Sequence, residues 1–121
     1  MDPLTIGIAI FLALGAVVTV FAIITFANVV MWFGSQVSLS ASGQLAIKPL
    51  GIDTSANIGF TLAEKISEGK YKVIQGVYNK EAEEVLTGRV IEGEKLDEKL
   101  GEYHQLDEAS GQLKERLVVY S

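Results

Sequence analysis

The chain has 121 residues, 49% of them hydrophobic, with ten Lys and Arg against fifteen Asp and Glu, one His and a formal charge of −5. An acidic surface of mixed sign excludes the basic face that nucleic acid or anionic lipid headgroups would require. The absence of cysteine excludes disulfides, thiolate metal sites and thiol nucleophiles, and leaves the redox compartment open.

From Leu4 to Phe33 there is no Asp, Glu, Lys, Arg, His or Pro. About 20 apolar residues suffice for a helix to cross a hydrocarbon core of about 30 Å, and a helix apolar all round has no place to hide in a chain this small. The run therefore predicts residues 1–33 as a single-pass transmembrane anchor. At about 100° per residue, Thr5, Ala9, Ala13 and Ala16 fall on one stripe, to which Ala27 returns. Small residues at four-residue spacing let membrane helices approach closely, so this stripe is the candidate face for a partner transmembrane helix. Phe11, Phe21, Phe26 and Phe33 cluster on another face, turned to the lipid bilayer or to a bound pigment or quinone, and no cofactor is assigned. Trp32 is expected as an interfacial anchor and Asn28 as a water-satisfied interfacial amide. A cleaved signal peptide would have a basic start and a shorter apolar core. Met1-Asp2-Pro3 carries no side-chain cation, although Ser38-Leu39-Ser40-Ala41-Ser42 supplies small residues for cleavage. With Lys48 on one side of the run and Asp2 on the other, the positive-inside rule places the N-terminus outside and the domain in the cytoplasm or stroma.

Residues 34–57 read as linker and loop, with Val37, Leu39 and Ala41 alternating with serines as an optional first strand. Lys48-Pro49-Leu50-Gly51 marks a turn. Residues 58–121 read as a small α+β domain. Phe60, Leu62 and Ile66 alternate with Thr61, Ala63 and Lys65, Ser67-Glu68-Gly69 turns the chain, and Lys70 to Asn79 is rich in Tyr and Val. A polar turn then leads into Val85 to Glu92, which completes an antiparallel meander. Leu96, Leu100 and Tyr103 stand at helical spacing and predict one short amphipathic helix over the sheet, weakened by Gly101. The β-branched end at Leu117–Tyr120 predicts a last strand. The expected fold class is thus a transmembrane helix plus an antiparallel meander with one short helix.

No catalytic constellation emerges. Glu83-Glu84, Glu92-Glu94 and Asp97-Glu98 read as solvated charges. His104, the only histidine, has no partner at metal-ligand spacing and reads as a helix-end residue favoured by the helix dipole. Arg89 reads as an outward side chain of a strand. Neither a nucleophile elbow nor a dinucleotide or phosphate loop occurs. The expected function is a non-catalytic accessory or assembly subunit of a membrane protein complex, respiratory or photosynthetic. The alternatives are a membrane-tethered binding module and, last, an anchored hydrolase or metal enzyme built on His104.

Overall fold

The N-terminal apolar run does not form one helix. The computed structural model describes residues 2–37 and 57–120, and in it the run divides into helix α1 (Pro3–Ala13), strand β1 (Val18–Ile24) and helix α2 (Phe26–Val37). Local chemistry sets the breaks. The Asp2 carboxylate accepts from Thr5 N–H at 2.9 Å and Pro3 opens the first turn, the favoured way to begin a helix. Gly15 ends it with φ at +94°, a left-handed conformation that costs glycine little. The β-branched residues Val17, Val18, Thr19 and Val20 then favour extended chain. Thr25 restarts the helix, its hydroxyl accepting from Asn28 N–H at 3.1 Å.

Eleven residues of α1 span about 16 Å, roughly half the hydrocarbon thickness. Among the described residues no helix is long and apolar enough to cross a membrane. This overturns the transmembrane anchor at residues 1–33, the single-pass integral-membrane placement, and the orientation argued from Lys48 and Asp2. A chargeless run suits a segment buried in protein as well as one buried in lipid; the deciding fact is that β1 finds backbone partners on β4.

The remaining elements are β2 (Asn57–Ser67), β3 (Lys70–Asn79), β4 (Glu84–Leu96), α3 (Glu98–Tyr103), a small hairpin β5 (Leu106–Asp107) and β6 (Gln112–Leu113), and β7 (Leu117–Tyr120). The main sheet runs β1-β4-β3-β2-β7. β1 is parallel to β4, and the other pairs are antiparallel. The fold is therefore a small α+β domain on a five-stranded mixed sheet, which corrects the expected fold class of a membrane helix beside a free antiparallel meander. The meander is only the middle of this sheet, and three helices rather than one short one pack on it. The optional strand at Leu39 and Ala41, the turn at Lys48–Gly51 and the cleavage stretch 38–42 lie outside the described residues, while Val37 ends α2.

Helices cover the sheet on both sides. On one face Ile8 of α1 packs with Phe60, Ile74 and Val90. On the other, Ile24, Val29 and Phe33 pack with Val73, Ile91, Leu100 and Tyr120, which brings α2 and α3 onto the same side. β3 is consequently buried from Val73 to Tyr78 without alternation, as a strand covered on both faces should be. Gly93 lets β1 lie close: a methyl there would stand 2.8 Å from the Phe21 carbonyl oxygen and 2.7 Å from Ile24 Cγ1.

Asp97 joins the two halves. Its carboxylate caps α3 by accepting from Leu100 N–H at 2.9 Å, and also accepts from Phe26 N–H, at 3.1 Å from each oxygen, at the start of α2. Its own N–H donates to the Ile24 carbonyl at 2.9 Å. One carboxylate thus satisfies the orphan donors of two helix N-termini.

Candidate docking surface

α1 uses a narrow face for the core. Gly7 and Ile8 are buried, Gly7 against the Tyr78 ring and Phe11 against Gly88, so the helix lies over β3 and β4. Its outer side leaves Ile6, Ile10 and Leu14 exposed, the last at 82%. The apolar surface continues along the chain. Val17 and Val20 are each 72% exposed and Val18 is 54% exposed. Val18 is in register with Val90, which faces α1, so Val18 and Val20 belong to the α1 side of the sheet, beyond the helix's cover. No ionisable side chain lies within this strip, and Glu92, in register with Val20 on the same face, borders it on β4. Isolated exposed apolar residues are ordinary, and a continuous uncharged strip is the less common case.

β1 is also a sheet edge, and its outer backbone groups have no strand partner among the described residues. The opposite edge is guarded differently. β7 is only four residues long, and beside it Arg116 pairs with Glu64 at 3.0 Å. Short strands and charges are the usual protection of an edge. β1 has neither.

The residues singled out from sequence are placed as follows. Thr5, Ala9 and Ala13 keep a common stripe on α1, with Thr5 bonded to Asp2 and Ala9 and Ala13 exposed. Ala16 lies beyond Gly15, off the helix and half-buried against the α1-side core. Trp32 is half-buried on α2, with the Arg89 guanidinium 5.5 Å above its ring and Phe33 edge-on at 5.6 Å, so it anchors α2 to the sheet and not to a membrane interface. Of the four phenylalanines, Phe21, Phe26 and Phe33 gather in the α2-side core, the last of them fully buried, and Phe11 meets Gly88 on the other side of the sheet, so the four do not form one face.

Arg89 is turned inward under α2, contrary to the outward reading. Its Nε donates to Gln75 Oε1 at 2.9 Å and a terminal nitrogen donates to Asn28 Oδ1 at 2.8 Å. Gln75, fully buried, passes the tie on by donating to the Val29 carbonyl at 2.8 Å. The side-chain oxygen of Asn28 is therefore held by the protein's own Arg89.

His104 is the C-cap of α3 but is fully buried. Its Nδ1 stands 2.7 Å from the Glu115 carbonyl oxygen, which assigns the ring proton to Nδ1. Nε2 then accepts from the Thr61 hydroxyl at 2.9 Å, and Thr61 accepts from the Tyr120 hydroxyl at 2.8 Å. Burial holds the imidazole below the usual histidine range and pushes the Tyr120 phenol up to about 12. Both groups stay neutral near pH 7, so the dipole reading of His104 gives way to a buried hydrogen-bond tie between α3, β2 and β7. Both ring nitrogens of His104 and the hydroxyls of Thr61 and Tyr120 are thus engaged with one another or with backbone, and the three residues are buried.

Of the paired acids, Glu83, Glu84, Glu94 and Glu98 are exposed, Glu92 faces Lys70 at 3.7 Å, and Asp97 is the double cap. Among the described residues no group of three or more His, Asp or Glu could hold a metal ion. Asp97 was missed as a joint. Its position before Glu98 marks the cap of α3 in sequence, but the bond to Phe26 spans 71 residues. Comparison with protein-family models, with curated proteins and with solved structures found no match to this chain.

Proposed function

We propose that this chain is a non-catalytic docking module that enters a protein assembly through its α1–β1 surface. The observation that carries the reading is the uncharged, uncovered strip from Ile6 through Leu14 and Val17 to Val20, continuous with an unguarded strand edge. The edge supports a polypeptide as the partner. Backbone donors and acceptors in a row are matched by another extended polypeptide, and the apolar side chains beside them favour a strand that also lacks charge. A small molecule or a lipid tail offers no such backbone.

The test is site-specific photocrosslinking in the native host, with the probe at Leu14, at Val20, and at exposed Lys114 near β7, at the opposite edge of the sheet. The expected result is one common crosslinked protein, which can be this chain itself, from Leu14 and Val20 but not from Lys114, lost when Val18→Lys is added. Crosslinks that are absent, or spread alike from all three positions, refute the docking role.

A further inference from the structure

We infer that the strand received by the β1 edge is β1 of a second copy, added antiparallel about a two-fold axis so that two five-stranded sheets become one of ten strands. The inference rests on the docking reading and names its partner.

Three observations lead to it. The first is the backbone. Val90 N–H donates to the Val17 carbonyl at 2.9 Å. In a parallel ladder the residues of one parity turn their amides to the neighbouring strand, so Val17 and Thr19 face β4, and Val18 and Val20 present their N–H and C=O groups outward. The second is charge. Across a two-fold axis a segment meets its own image, and any charge near the axis meets its like. The chain carries −5 overall, and the other sheet edge is flanked by Lys114, Glu115 and Arg116. Val18–Ile24, VTVFAII, is a strand without an ionisable side chain and can face itself without repulsion. The third is the shape of the exposed strip. An axis perpendicular to the sheet keeps the α1 side of both copies on the same side. Centred on Val20, it sets Val18 opposite Ala22 of the second copy. The open valines of both chains then form one apolar floor, and the β4 strands of the two copies lie three spacings, about 14 Å, apart. Leu14 and Ile10 of each chain border that floor. The pairing thus satisfies the bare edge and covers the strip with the same contact.

The measurement is the solution mass of the purified full chain by light scattering after gel filtration, at about 50 μM, far above a micromolar dissociation constant. The expected mass is twice that of one chain. Val20→Lys and Val20→Glu, each facing its own image across the axis, should both run at the mass of one chain, with unchanged far-ultraviolet circular dichroism. An equimolar mixture of the two should return to twice the mass, since unlike charges then oppose; this rescue also shows that both variants fold. A wild-type chain that runs singly, or a Val20→Lys variant that stays double, overturns the inference. So does a dimer lost by Leu14→Glu and kept by Val20→Lys, which would place the contact on α1. A single-running chain that still crosslinks one other protein from Leu14 and Val20 removes the self-pairing and leaves the docking module standing. A single-running chain with no crosslinks removes both.

Discussion

Replacing Asp97 by alanine should loosen the molecule at two helices at once. The carboxylate accepts from Phe26 N–H and Leu100 N–H, and it sits half-buried at the junction of β4 and α3. Losing one N-cap costs about 1 kcal/mol, within a range of about 0.5–2. The two caps together are then worth about 2 kcal/mol, and the part-buried Phe26 N–H, left with no acceptor, takes the loss toward 3. With an m-value of about 2 kcal/mol per molar urea for a small domain, the unfolding midpoint should fall by about 1–1.5 M. Asp97→Asn keeps one acceptor oxygen and should lose about half as much. Urea unfolding followed by the fluorescence of Trp32, the only tryptophan, reads the change directly because Trp32 lies on α2. A loss below about 0.5 kcal/mol for Asp97→Ala, the range of an ordinary surface substitution, would refute the double cap.

Two further outcomes follow from buried polar groups. Tyr78 carries a buried hydroxyl with no hydrogen-bond partner among the described residues, so Tyr78→Phe removes a desolvated group that returns nothing to the fold. Its urea midpoint should hold or rise, and a clear fall would show that the hydroxyl is satisfied after all. His104 is held neutral by burial, so its pKa in the folded chain lies below the value of about 6.5 in the unfolded chain. Below that unfolded value the unfolded state binds more protons. The contribution of His104 is therefore complete above about pH 6.5 and is lost progressively as pH falls toward the folded value. Unfolding free energies measured between about pH 7 and pH 5 should decline in the wild type, with the slope reduced in His104→Gln. A flat wild-type profile would refute the buried neutral imidazole.

How much of this was legible in the chain differs from segment to segment. Alternation around Phe60 and Leu62, the Glu68-Gly69 turn and the Tyr- and Val-rich run to Asn79 are local signals, and β2 and β3 lie on them. The amphipathic spacing of Leu96, Leu100 and Tyr103 was visible too, but β4 continues through Leu96 and the helix begins only at Glu98. The spacing marked Leu96 and Leu100 as core side chains but not which backbone carries them, and Tyr103 stays exposed, stacked on Phe26. Arg89 and His104 were misplaced for a related reason. Charge or polarity predicts exposure on average, and only partners distant in the chain, Asn28 and Gln75 for one and Thr61 and Glu115 for the other, let these groups turn inward. Asn28, read as facing interfacial water, changed its meaning through the same contact.

The N-terminal run shows the division most plainly. By itself the sequence determined that residues 4–33 avoid charge and that this segment is apolar enough to be covered by something. It also held the cap at Asp2-Pro3, the glycine at position 15 and the β-branched stretch after it. Hydropathy averages over these local marks, and a bilayer core and a protein core take up the same side chains. Only the tertiary structure decided between them, because the hydrogen bonds of β1 are made to β4, about 70 residues away, and the Phe26 N–H is held by Asp97. The same contacts decided which part of the run stays uncovered, and so where a second chain can join.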